Sequence, residues 1–114
     1  MTVRSLAAAA LVVLASLVLS PVAAPASQAT VTVTATEFKF KLSTSSGKAG
    51  KVTFKVTNKG KLDHDFKIAG KKTPMLKPGK SATITATIKK GKNAYLCTVS
   101  GHAAAGMKGS FTGK

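Results

Sequence analysis

Lys51-Val52-Thr53-Phe54-Lys55-Val56-Thr57 alternates polar and apolar side chains at every step. A β-strand sends successive side chains to opposite faces, so Val52, Phe54 and Val56 share one face and the lysines and threonines the other. The same alternation recurs downstream, where Ala82, Ile84, Ala86 and Ile88 interleave with Thr83, Thr85 and Thr87. Upstream, Phe38, Phe40 and Leu42 alternate with Lys39 and Lys41, and Val31 and Val33 stand among threonines. Turn formers separate these runs: Gly47-Lys48-Ala49-Gly50, Asn58-Lys59-Gly60, Pro78-Gly79 and Lys90-Gly91. Beyond residue 29 no stretch carries a helical moment over three turns. The pattern predicts an all-β domain over residues 30–114, a β-sandwich of about seven strands with connections compatible with a Greek key.

Residues 1–29 read differently. Arg4 precedes an apolar run from Leu6 to Leu19 that only Ser16 interrupts. That length suits the apolar core of an export signal and falls short of the ~20 residues that span a bilayer. Small residues follow, and Ala24-Pro25-Ala26 and Ser27-Gln28-Ala29 both offer cleavage sites. The expectation is a signal peptide cut near residue 26 or 29, with an uncleaved anchor as the other reading. The destination is the periplasm or extracytoplasmic envelope, or secretion.

The 114 residues hold one Cys, two His and no Trp, with 18 Lys+Arg against 3 Asp+Glu. One Cys cannot close an internal disulfide or build a four-thiolate zinc or iron–sulfur site. Two His cannot supply the clusters that multi-copper oxidases need. A lone thiol in an oxidising compartment is also a liability unless something occupies it.

The scarce ligand types fall on one pattern. Cys97, His102 and Met107 lie in Tyr95-Leu96-Cys97-Thr98-Val99-Ser100-Gly101-His102-Ala103-Ala104-Ala105-Gly106-Met107, and His64 lies upstream in Leu62-Asp63-His64-Asp65-Phe66-Lys67-Ile68. Read as a strand, Leu62, His64, Phe66 and Ile68 share one face, which turns His64 toward the core. Taken singly, a core His, a buried Cys and a packing Met are ordinary. Their coincidence is not. Thiolate and thioether suit Cu(I), imidazole suits Cu(II), and two His with one Cys and a distant Met make a blue-copper electron-transfer site. Zinc has no use for the thioether.

On these residues the chain resembles the small blue (type 1) copper proteins of the plastocyanin/azurin, or cupredoxin, family. The likeness runs from about Thr30 to Lys114. It rests on Cys97-x4-His102-x4-Met107, on His64 in an earlier segment, on Tyr95 two before the Cys and on Gly106 before the Met. The resemblance implies His64, Cys97 and His102 as equatorial ligands of one copper ion and Met107 as the axial one. Two features depart from it. Asp65 stands after the first His where the family often has Asn, and it is expected to accept hydrogen bonds from the Thr98 region. The four residues between Cys97 and His102 exceed the plastocyanin spacing and come closer to azurin-like or rusticyanin-like loops.

A site with every position filled by protein leaves nowhere for a substrate, so the expected role is one-electron carriage rather than catalysis. Electrons are expected to leave by the edge of His102, with Ala103, Ala104 and Ala105 as a small uncharged surface around it. Past residue 29 there are 17 Lys and three acids, Glu37, Asp63 and Asp65. That excess favours redox partners with acidic docking surfaces, a cytochrome or an oxidase, or the anionic cell envelope. The carrier is expected to be a monomer. Other readings are a copper carrier or sequestering protein, a fragment of an oxidase or nitrite reductase, and a metal-free basic sandwich binding anionic polymers. Against the last, residues 30–114 hold no arginine and one Tyr, so bidentate contacts and stacking platforms for nucleic acid are scarce.

Overall fold

A computed structural model describes residues 29–114 and, before them, only Thr2, Val12, Val13, Ala15 and Ser16. The expected signal peptide therefore lies almost wholly outside the described residues. Among those residues no helix is long and apolar enough to cross a membrane.

The alternating runs form strands, and the described chain is all-β. β1 (Thr30–Thr36), β2 (Lys39–Leu42), β4 (Gly50–Asn58) and β7 (Ser81–Ile88) make one sheet, ordered β2-β1-β4-β7. β3 (Ser46–Gly47), β5 (Lys67–Ile68), β6 (Lys71–Lys72), β8 (Gly91–Leu96) and β9 (Lys108–Gly113) make the other, ordered β3-β9-β8-β5-β6. The chain crosses between sheets from β2 to β3, β3 to β4, β4 to β5, β6 to β7 and β7 to β8, which makes a Greek-key sandwich. The parallel pairing of β1 with β4 requires such an excursion, because parallel neighbours cannot be joined by a hairpin. The nine strands agree with the expected count of about seven, the surplus being β3 and β6, two-residue ladders that leave little trace of alternation in the sequence.

The inward faces follow the period-two reading. Val31, Val33, Val52, Phe54, Val56, Ile88 and Phe111 are buried in one core cluster with Phe66 and Ile68. Aromatic rings interlock there, with Phe54 edge-on to Phe111 at 5.5 Å and Phe40 edge-on to Phe66 at 5.2 Å. The outer face of the first sheet is threonine and lysine, and hydroxyls pair across strands, Thr57 Oγ1 with Ser81 Oγ at 2.8 Å. One part of the reading fails. Leu62 is 46% exposed although His64, Phe66 and Ile68 are buried. The chain before His64 is a bend rather than a strand, and Leu62 turns outward because its backbone N–H donates to Glu37 instead of to a ladder.

A second, smaller cluster of Ala35, Cys97 and Met107 sits where β1 ends, β8 ends and β9 begins. This end of the sandwich holds the candidate site.

Candidate metal centre

Each histidine is placed by backbone pairing. His64 forms an isolated antiparallel bridge with Leu76, N–H to O at 3.0 Å one way and 2.7 Å the other. Buried Asn58 secures this bridge, since its Nδ2 donates to the carbonyls of Leu62 and Leu76 at 2.8 Å each. Cys97 is the first residue beyond β8, and its N–H donates to the Met107 carbonyl at 3.1 Å, closing the loop that carries the other two residues. Within that loop the His102 N–H donates to Val99 O at 3.0 Å and the Met107 N–H to His102 O at 3.0 Å. Gly106 turns the loop with φ +120°, a conformation that L side chains rarely adopt, while its Cα faces the Phe38 carbonyl.

Three donor atoms converge. His64 Nδ1 lies 3.1 Å from His102 Nδ1, and Cys97 Sγ lies 3.6 Å from His102 Nδ1 and 4.0 Å from His64 Nδ1. A circle through three atoms so spaced has a radius of about 2.1 Å, within the roughly 2.0–2.3 Å that nitrogen and sulfur donors keep from a bound metal. Among the described residues these form the one cluster of His, Cys and acidic side chains placed to hold an ion. The pocket is dry. His64 and Met107 are fully buried, Cys97 is 1% exposed and His102 9%. Burial pushes the Cys97 thiol above its ordinary range, so occupation by a metal has to displace a proton.

Asp65, also fully buried, accepts the Thr98 backbone N–H at 2.6 Å on Oδ1 and the Thr98 hydroxyl on Oδ2. Lys72 Nζ stands 3.9 Å from the same carboxylate. The residue after one histidine is thus tied to the residue after the cysteine.

Two residues of the β1–β2 turn reach the site, and the sequence analysis gave neither a role there. Glu37 Oε1 lies 3.2 Å from His64 Nε2 and accepts the backbone N–H groups of Lys61 and Leu62 at 2.7 Å each. Chiefly through the Leu62 N–H, with Lys61 helping, these bonds hold the Glu37 carboxyl at about 2, against its ordinary 4.5. Phe38 packs edge-on against the His102 ring, with centroids 5.1 Å apart. The available signals were thin: Glu37 is one of three acids beyond residue 29, and Phe38 opens an alternating run yet remains 38% exposed. Around His102, Ala103 is half-buried and Ala104 and Ala105 are exposed.

Residues 7–110 match the sequence profile of the cupredoxin-like domain. The chain belongs to that family. The match takes in most of the segment read as an export signal as well as the sandwich. No curated protein matches the chain. Among solved structures, a dithionite-reduced auracyanin from the photosynthetic bacterium Roseiflexus castenholzii superposes with a TM-score of 0.65 at 22% identity, covering 77% of this chain and 98% of that one. Auracyanin B gives 0.63 at 22% identity over 75% and 88% of the two chains. An azurin from the methylotroph Methylomonas sp. strain J gives 0.61 at 17% identity over 77% and 99%. At these identities the likeness is one of fold. Family membership together with the His, Cys, His and Met donor set fits one type 1 copper ion as the cofactor.

Proposed function

We propose that this cupredoxin is an exported one-electron carrier whose copper would be held by His64, Cys97 and His102, with the Met107 thioether as a fourth donor. The observation that carries the reading is the convergence of two Nδ1 atoms and one Sγ, all on buried residues, at separations of 3.1 to 4.0 Å. A copper ion in such a set supplies a Cu(II)/Cu(I) couple. The protein's part is to keep the donors still. The His64–Leu76 bridge, the Asn58 clamp and the Cys97–Met107 backbone bond fix three of the four side chains on pre-formed structure. The Asp65–Thr98 pair holds the two ligand segments at constant spacing. With donors that cannot follow the metal's changing preferences, little rearrangement accompanies a change of oxidation state, and transfer is fast.

Residues 1–29 act as the export signal in this reading, with the mature domain over residues 30–114 a monomer. Electrons leave where His102 approaches the surface among Ala103, Ala104 and Ala105, a neutral loop that allows close approach. Partners carry acidic docking surfaces, because 17 lysines face three acids beyond residue 29. With the coordinating positions taken by protein, the centre offers a substrate no place to bind, and the role is carriage rather than catalysis.

Adding Cu(II) to the purified metal-free domain tests the reading. Intense blue absorption should develop at one equivalent, and Cys97→Ser should abolish it. A colourless protein that takes up four-coordinate zinc in preference would sink it.

A further inference from the structure

We infer that Glu37 is a positioning residue for the metal centre: its carboxylate selects the His64 tautomer that presents Nδ1 to the donor cluster, and its charge, one imidazole away, favours the oxidised ion. This deepens the copper reading and rests on it.

The two ring nitrogens of His64 face different partners, Nε2 toward Glu37 and Nδ1 toward Cys97 and His102. A neutral imidazole carries one proton, and the hydrogen bond made by one nitrogen decides what the other can do. An ionised carboxylate only accepts. At 3.2 Å from Glu37 Oε1, His64 Nε2 must therefore hold the proton, which leaves the Nδ1 lone pair free toward Cys97 Sγ and His102 Nδ1. Without the carboxylate the Nε2–H form loses its acceptor and the opposite tautomer competes, because Nδ1–H can donate to His102 Nδ1 at 3.1 Å. That arrangement closes the cluster on itself and blocks the metal.

A second, independent feature shows that the carboxylate's place is built. The Lys61 and Leu62 N–H groups both point at Oε1 from 2.7 Å. Gly60 supplies the room: a Cβ on it would meet the Glu37 carboxylate at 2.5 to 2.9 Å. The turn is shaped around this side chain, and Asn58 fixes the turn in its own right, accepting the Gly60 N–H at 2.8 Å on Oδ1. Glu37 is thus not the only side chain that holds the turn. It uses the turn to reach His64. A carboxylate on the far nitrogen of a ligand histidine orients the ring and raises its basicity, and losing one typically weakens metal binding by about 10–100-fold.

The test compares Glu37→Gln with the parent chain in two forms. Gln keeps an oxygen for the Lys61 and Leu62 N–H groups but removes the charge, and its amide can donate to His64 Nε2. In the metal-free protein, nitrogen NMR of the imidazoles should show the His64 proton on Nε2, and Glu37→Gln should move population to Nδ1. In the copper-loaded protein, Cu(II) affinity should fall about 10–100-fold. The reduction potential should rise by about 59 mV for each tenfold that Cu(II) binding loses relative to Cu(I). Gly60→Ala, which crowds the carboxylate without changing charge, should shift both readouts in the same direction and serves if Glu37→Gln fails to fold. A parent protein with its His64 proton on Nδ1 overturns the inference. So does a folded Glu37→Gln with unchanged tautomer and potential. If the parent takes up no copper, the carrier reading fails, while the tautomer measurement still decides the role of Glu37.

Discussion

Asp65 and Thr98 hold each other across the site: the Asp65 carboxylate takes both the backbone N–H and the hydroxyl of Thr98, one residue past His64 and one past Cys97. The carboxylate is buried while Thr98 lies at the surface, and a hydrogen bond to a charged group is worth about 1.5–3 kcal/mol. Asp65→Ala removes the acceptor that both Thr98 donors share and lets the His64 and Cys97 segments drift apart. It should weaken Cu(II) binding by about 10–100-fold and broaden or shift the visible band. Asp65→Asn keeps one acceptor oxygen and should lie between the two. Copper titration followed by absorbance measures this, and an Asp65→Ala protein with parental affinity and spectrum would remove the carboxylate from the account.

Phe38 covers His102 edge-on while its own outer edge meets solvent. An edge-to-face aromatic contact adds about 0.5–1.5 kcal/mol, and Phe38 is already 38% exposed, so Phe38→Ala should cost little stability. Its effect should appear at the ring beneath. In the metal-free protein, His102 should react faster with an imidazole-modifying reagent in Phe38→Ala than in the parent, with His64 unchanged. Equal rates at His102 would show that the phenyl ring does not gate access.

What the sequence made legible, and what it hid, divides by the range of the interaction. Val52, Phe54 and Val56 announce their strand because burial on one face imposes a period of two, a local signal. The four donor residues stood out because their types are scarce, and scarcity is visible without coordinates. Glu37 and Asn58 were hidden for the opposite reason. Asn58 reads as a turn residue in Asn58-Lys59-Gly60, yet its amide spans to Leu76, 18 residues on. Glu37 meets His64 across 27 residues, a contact that only the pairing of β1 with β4 creates. The short ladders β3 and β6 escaped because two residues cannot display a period, whereas β5 fell within the alternation read from Leu62 to Ile68. Leu62 misled because alternation was read through a bend, where a single hydrogen bond to Glu37 sets the direction of the chain.

Acid should loosen the metal-free fold in a defined window. Glu37 has its folded pKa depressed, from 4.5 to about 2. A group shifted in this direction contributes stability that is fully present above the unfolded value and is lost as pH falls through the folded one. The contribution should thus fade between about pH 4.5 and pH 2 as the carboxyl takes up a proton. Glu37→Gln should lose that component and show a flatter dependence over the same range. Denaturant titrations of both proteins at several pH values read it directly, and parallel curves would assign the acid response to other groups.

Long-range charge should govern how quickly the carrier meets its partner. Beyond residue 29 the net charge is about +14, from 17 lysines and three acids, and most of those lysines are exposed. The loop beside His102 is neutral, so contact there need not bury a charge, and the lysine field acts chiefly before contact is made. Such steering raises the association rate and is screened as the Debye length shrinks from about 10 Å at 0.1 M salt to about 3 Å at 1 M. With an acidic cytochrome as partner, stopped-flow electron transfer should therefore slow steeply as salt rises. With a basic cytochrome of similar potential the slope should reverse, since screening then relieves repulsion. Rates indifferent to salt with both partners would mean that the lysines serve solubility alone.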